Sequence, residues 1–221
     1  MFLEIPDLLT PHEVRAVLDI VAKAPFVDGR VSNPANTAKK NLQLHDNDAY
    51  GRSSKILVEA LYRHPDFVGF AFPRTAAPPM VTKYEAGMQY GPHSDSAFIA
   101  LGQREIRTDL SATIFLADPA SYDGGELSVQ LGTRRLEFKG PAGSAIVYPS
   151  TTMHEVKPVT RGVRIAAITF VESEVADPVQ RDALYELNEV AALEGLNMRP
   201  ENYVRLLRVQ ALVKRMWATP G

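Results

Sequence analysis

Between Met80 and Glu172 the apolar residues recur at every second position, whereas on either side they recur every third or fourth. A period of two belongs to half-buried strands and a period of 3.6 to amphipathic helices. The expected strands are Val81–Tyr84, Leu110–Ala117, Glu126–Gln130, Arg134–Phe138, Ser144–Tyr148 and Val163–Val171. Leu131-Gly132-Thr133 and Thr160-Arg161-Gly162 supply turns between them, and Pro149 closes a run. Many short strands with few helices between them predict an antiparallel sandwich or barrel. The expected fold class is therefore mainly β with flanking helices (α+β), with the strands in a sandwich or a jelly-roll barrel.

The flanks carry helix signals. Thr10, Pro11 and Glu13 form a capping box with proline at the first helical position, and Val14, Val17, Leu18 and Val21 share a face. Residues 27–51 are polar and rich in turn formers, with a short strand expected at Asn41–Leu44. A second helix is predicted from Ser53 to Arg63, ending at His64-Pro65 because the residue before proline avoids helical geometry. After Glu172, Asp177-Pro178 opens a helix that Gly195 ends, and Arg199-Pro200 opens another that runs towards Trp217. This divides the chain into N-terminal helices and strands packing on the barrel (1–78), a strand-rich core (79–173) and a C-terminal helical extension (174–221). The last part either covers the barrel or joins copies into a homo-oligomer.

The 221 residues contain no cysteine and five histidines. Disulfide frameworks, zinc fingers, iron–sulfur clusters and thiol nucleophiles are thereby excluded, and any metal site must come from His, Asp and Glu. Net charge is -2, with no basic block, which argues against nucleic acid as a partner. Glu4 and Asp7 interrupt the first apolar run, which also lacks a basic leader, so no signal peptide is expected. The longest uncharged stretch, Gly140–His154, is broken by Pro141, Gly143 and Pro149 and is a poor membrane span. The expected location is cytoplasmic, with no membrane partner.

His93-Ser94-Asp95 is the first chemically informative triplet. In an extended strand residues two apart point to one face, so imidazole and carboxylate would converge. His154 follows the Ser144–Pro149 strand, and a barrel can return it beside that pair. Two histidines and one carboxylate on one side of a metal leave open positions, as non-haem Fe(II) oxygenases require. Taken alone, a His-x-Asp pair also suits a surface hydrogen bond. Arg164 opens the last strand and shares a face with Ala166, Ile168 and Phe170. An inward arginine there needs an anion; a rim arginine in water is the alternative.

The run from Tyr84 to Asp95, which includes Tyr90, Gly91, Pro92 and His93, resembles the iron-binding segment of prolyl 4-hydroxylase-like, 2-oxoglutarate-dependent dioxygenases. Arg107 to Leu116, Tyr122 to Leu127, Tyr148-Pro149, His154, and Pro158 to Arg164 are closer still to the bacterial PKHD-type hydroxylases, over nearly the whole chain. The resemblance implies a double-stranded β-helix (jelly-roll) core in which His93, Asp95 and His154 hold Fe(II). It implies that Arg164 binds the distal carboxylate of 2-oxoglutarate, with Tyr84 bonding the same group and Thr113 contacting the cosubstrate. Succinate and carbon dioxide would be released, dioxygen consumed, an unactivated C–H bond hydroxylated, and L-ascorbate (vitamin C) needed to keep the iron reduced. Serine between the first two ligands departs from other members without removing a ligand.

Asn41, Gln43, Ser94, Phe98 and Arg107 are the expected pocket-rim residues. The substrate is a small metabolite, a siderophore or a peptide. Two rival readings remain at this stage. One is a cupin-like metal-dependent enzyme without 2-oxoglutarate, which gives no reason for an inward Arg164. The other is a non-catalytic iron-responsive binding protein on a retained barrel.

Overall fold

The computed structural model describes residues 1–34 and 36–219. The chain opens with β1 (Leu3–Ile5) and α1 (Pro11–Val21). The capping box forms as expected: Glu13 N–H donates to Thr10 Oγ1 at 3.3 Å, and Thr10 N–H donates to the Glu13 carboxylate at 2.8 Å. Val14, Val17 and Val21 are buried on one face. Three short strands follow, β2 (Phe26–Asp28), β3 (Lys39–Lys40) and β4 (Leu42–Leu44).

Helix α2 (Asn47–Arg63) starts well before the expected Ser53. Asp46, not a serine, is its cap, accepting from Ala49 N–H at 2.8 Å. Ser53 is buried within the helix, its hydroxyl donating to the Ala49 carbonyl. The helix stops at His64 as proline requires, but Pro65 then opens a further helix, α3 (Pro65–Ala71), an addition to the expected elements.

The strand region comprises β5 (Pro73–Ala76), β6 (Met80–Glu85), β7 (Gln89–His93), β8 (Phe98–Leu101), β9 (Arg104–Arg107) and β10 (Leu110–Phe115). It continues with β11 (Asp123–Gly124), β12 (Leu127–Leu131), β13 (Arg134–Phe138), β14 (Ala145–Pro149), β15 (His154–Val156), β16 (Val159–Arg161) and β17 (Val163–Ser173). The larger sheet runs β1-β14-β10-β17-β6-β4-β2, with β5 also paired to β17; the smaller runs β13-β12-β15-β7-β3. All these pairs are antiparallel, which gives the jelly roll. The first 78 residues thus lend strands to both sheets. Short β8-β9 and β11-β16 ribbons decorate the barrel.

Alternation divides the larger sheet into two faces. Leu110, Ala112 and Ile114 of β10, Ala145 and Val147 of β14, and Ala167 and Val171 of β17 pack with Val17, Leu57, Leu61 and Phe67 of α1–α3. Their neighbours one residue away face the barrel interior: Thr82 and Tyr84, Thr113, Tyr148, and Arg164, Ile168 and Phe170. One layer of helices therefore covers one face and leaves the other to chemistry.

At the C-terminal end, α4 (Pro178–Glu194) is capped by Asp177, and α5 (Pro200–Trp217) folds back along it. Leu184, Val213 and Trp217 pack with Phe72 and Val175, tying the helix pair to the barrel. Val179, Leu193, Leu196, Val204 and Met216 stay exposed on it. No described helix is long and apolar enough to cross a membrane.

Candidate metal centre

The ligating atoms of His93, Asp95 and His154 all lie within 4.8 Å of one another. Antiparallel pairing brings them together, since His154 at the start of β15 lies opposite His93 at the end of β7. The expected extended His-x-Asp is modified: β7 ends at His93, and Asp95 lies just beyond it. Its backbone N–H donates to the Ser150 carbonyl at 3.1 Å, anchoring that turn to the loop before β15.

Each candidate ligand is held in a usable state. His93 Nδ1 lies 2.8 Å from the Gly91 carbonyl, and His154 Nδ1 lies 2.9 Å from the Thr152 carbonyl. A carbonyl only accepts, so each Nδ1 carries the hydrogen and each Nε2 presents its lone pair. Burial, reinforced by neighbouring His154, pushes the His93 imidazole well below the usual histidine range, which favours the neutral, ligating form. Tyr90 stacks on His93 with ring centroids 3.6 Å apart. Asp95 Oδ2 accepts from Ser111 Oγ at 2.6 Å, and Ser111 is bonded in turn to Ser150 Oγ at 2.7 Å. Asp95 Oδ2 and His154 Nε2 are 3.8 Å apart, a spacing at which one cation can touch both.

The three candidate ligands line a cavity of about 210 Å3, into which Arg164 also projects. Arg164 is only 1% exposed, and among the described residues its Nε and Nη1 have no hydrogen-bond partner. Its guanidinium lies over the Tyr84 ring, 5.1 Å from the centroid. Among the described residues the Tyr84 hydroxyl and the Asn41 amide also lack hydrogen-bond partners, although both are buried in the cavity wall. A buried cation with idle donors is costly unless an anion completes it. Gly125 makes room for it: its φ is +69°, and a Cβ there would sit 3.0 Å from Arg164 Cδ. Burial pushes the Tyr84 and Tyr148 phenols up, so both are neutral donors to whatever enters.

The donor set therefore fits a divalent metal with a small dianion beside it. Two histidines and a carboxylate suit Fe(II), with sites left for exogenous oxygen ligands. Arg164 and Tyr84, lining the same cavity, suit the carboxylate of a small anion. A larger, open groove of about 600 Å3 between α1 and α2 contains Asp19, Lys23 and Arg52 but no histidine. Among the described residues no other cluster offers three metal-ligating side chains.

The remaining expected site residues separate. Thr113, Ser94 and Asn41 line the cavity. Gln43 does not; it lies in β4 between β2 and β6, opposite Val27 and Thr82. Phe98 is 56% exposed on the outside of the β8–β9 ribbon, and Ile99 lines the cavity instead, one residue having turned the other way. Arg107 is outside as well. It grips Asp109 with bonds of 2.6 and 2.9 Å, donates to the Ser173 carbonyl, and braces β9 against β17. Lys39, Tyr90, Ser111 and Tyr148 are cavity or ligand-supporting residues that the sequence reading passes over. For Ser111 a signal exists: it lies two residues before Thr113 and shares its face of β10.

The sequence pattern of the 2OG-Fe(II) oxygenase superfamily matches residues 79–172. A PKHD-type hydroxylase of Sphingopyxis alaskensis is 56% identical over 211 residues, 96% of this chain and 97% of that one. Another, of Nitrobacter winogradskyi, is 39% identical and covers 97% of both chains. Among solved structures, a Trichoplax adhaerens prolyl hydroxylase in complex with a hypoxia inducible factor peptide fragment aligns with a TM-score of 0.58. It is 17% identical, and the match covers 83% of this chain and 86% of that one. A Pseudomonas putida prolyl-4-hydroxylase aligns with a TM-score of 0.52 at 21% identity, over 78% and 92% of the chains. At these identities the two structures speak for the fold.

Proposed function

The chain belongs to the PKHD-type hydroxylases of the 2OG-Fe(II) oxygenase superfamily, and from that premise we propose which residues carry the reaction and what they act on. His93, Asp95 and His154 hold Fe(II), and Arg164 with Tyr84 holds the distal carboxylate of 2-oxoglutarate. The single observation that carries this reading is the buried Arg164 guanidinium, with idle Nε and Nη1, facing the same cavity as the three ligands. A cupin-like enzyme without 2-oxoglutarate has no use for that cation there.

When bound, iron with 2-oxoglutarate supplies dioxygen activation, so that a C–H bond is hydroxylated as the cosubstrate becomes succinate and carbon dioxide. The protein's contribution is positional. The Gly91 and Thr152 carbonyls fix the imidazole tautomers, and Ser111 fixes one carboxylate oxygen of Asp95. Arg164 and Tyr84 orient the cosubstrate by charge and hydrogen bond. Val156, Leu127, Ile168 and Phe170 give the cavity apolar walls that keep bulk water from the reacting carbon. The substrate is a small molecule or a peptide side chain that enters beside Ser94 and Ser96. Ascorbate maintains the reduced metal.

Anaerobic titration with Fe(II) and 2-oxoglutarate tests the assignment. The chelate should give a weak visible metal-to-ligand charge-transfer band, and Asp95→Ala should abolish it together with oxygen-dependent succinate formation. Absence of the band in the wild type, or its survival in Asp95→Ala, refutes the ligand set.

A further inference from the structure

Arg164 is not the only under-used cation in the cavity. Lys39 lies on β3 and is 6% exposed, with its side chain in the cavity wall. Its ammonium donates to Ser32 Oγ at 2.6 Å and lies 5.5 Å from the centroid of the Tyr90 ring. The Ser32 hydroxyl is itself spent on the Gly29 carbonyl, so it can only accept from Lys39. Among the described residues no carboxylate reaches ion-pair distance of Lys39. Asp28 acts on it from further off and is already bonded to Arg30, while Asp95 faces the metal site. A buried ammonium with one hydrogen bond and one ring contact has donor capacity left over.

The wall that carries Lys39 is built, not loose. β3 pairs with β7, setting Lys39 opposite Tyr90, and Gly91 N–H donates to the Ala38 carbonyl at 3.0 Å. The two strands approach so closely that a Cβ at Gly91 would lie 2.9 Å from the Ala38 Cβ. Asn36 bonds the Tyr90 hydroxyl from the same segment. Lys39 is thereby fixed beside the strand that ends in His93, against the ring that stacks on that ligand.

We propose that Lys39 forms an anion subsite for the primary substrate, so that the molecule oxidised here carries a carboxylate. The assignment rests on the function proposed above, which commits Arg164 to the cosubstrate. The substrate's carboxylate meets Lys39 beside Tyr90 and Ser94, and the carbon to be oxidised points towards the His93–Asp95–His154 centre. The metal side is then read by one cation and the cosubstrate end by another, which keeps two anionic ligands apart and prevents their exchange. Lys39 is a specificity-determining residue in this scheme.

The test uses the full chain loaded with Mn(II) and saturating 2-oxoglutarate, with trifluoroacetate as the probe and trifluoroacetamide as its uncharged counterpart. Bound Mn(II) broadens the fluorine resonance of a molecule held near it. The acid should be broadened about tenfold more than the amide, Lys39→Gln should erase the difference, and Lys39→Arg should keep it. Equal broadening of the two molecules overturns the proposal, as does an acid preference that survives Lys39→Gln. Competition between trifluoroacetate and 2-oxoglutarate also overturns it, by giving Lys39 to the cosubstrate. The Fe(II)–2-oxoglutarate absorption band separates the two proposals. A normal band in Lys39→Gln without acid preference in the wild type removes the subsite alone, whereas no band in the wild type removes the earlier reading.

Discussion

Replacing Arg164 by methionine should separate the stability of the empty protein from its ability to bind cosubstrate. In the wild type the guanidinium is buried with Nε and Nη1 idle, so removing it breaks no ion pair among the described residues. The loss is the contact with the Tyr84 ring and some packing, set against relief from burying a charge. The empty Arg164→Met protein should therefore stay within about 1 kcal/mol of wild type, against the roughly 3–5 kcal/mol that breaking a satisfied buried pair costs. Ligand binding should suffer far more. Two charge-assisted hydrogen bonds at roughly 1.5–3 kcal/mol each predict a 2-oxoglutarate affinity lower by about 10^2–10^4. The assay is thermal unfolding with Zn(II), with and without 2-oxoglutarate at a hundred times its wild-type Kd. Such a concentration stabilises the wild type by about 2.7 kcal/mol, or roughly 5–10 °C for a chain of this size, and should shift Arg164→Met by no more than about 1–2 °C. A retained shift in the variant, or an empty variant destabilised by several kcal/mol, refutes the claim that Arg164 waits for an external anion.

Ser111→Ala removes the one side-chain hydrogen bond to Asp95 Oδ2 among the described residues, and metal affinity measured by competition with a chelator should fall about 10–100-fold with little change in fold. Gly125→Ala forces a Cβ onto a residue with φ of +69° and against Arg164 Cδ and Val159 Cγ2. It should lower stability by about 1–3 kcal/mol and weaken 2-oxoglutarate binding more than metal binding. Glu13 is held at about 2, chiefly by its hydrogen bonds from Arg63, well below its ordinary 4.5. A lowered carboxylate stabilises the fold above its unfolded pKa and loses that contribution as pH falls from about 4.5 towards 2. Melting temperatures across that interval should drop less steeply in Glu13→Gln than in wild type; parallel curves would show that the pair contributes nothing.

What the sequence made legible was whatever repeats locally. The alternation in β10, β14 and β17 separates a helix-facing row from a cavity-facing row, so parity places Arg164 inward, whereas Thr113 enters through the family resemblance. Spacing likewise brought His93 and Asp95 together. Strands of two or three residues carry no such pattern: β1, β2 and β3 hold their places by pairing with partners distant in the chain. Lys39 was invisible for that reason, since an isolated lysine in a polar segment ordinarily marks solvent. Parity also fails when the frame is uncertain, as at Phe98 and Ile99, where a one-residue choice exchanges inside for outside. Arg107 was misplaced because Asp109, two residues on in an extended chain, satisfied it first.

The two histidines are oriented by main-chain carbonyls two residues upstream, at Gly91 and Thr152, rather than by acidic side chains elsewhere in the barrel. No side-chain replacement at either position deletes such an acceptor. The imidazole half of the centre is thus insulated from sequence drift so long as the two strands keep their register. The carboxylate half has no such protection, because Asp95 depends on the hydroxyls of Ser111 and Ser150. Divergence among relatives that alters the metal's behaviour without removing a ligand should therefore concentrate around Asp95, which makes that corner the natural place to retune the centre by design.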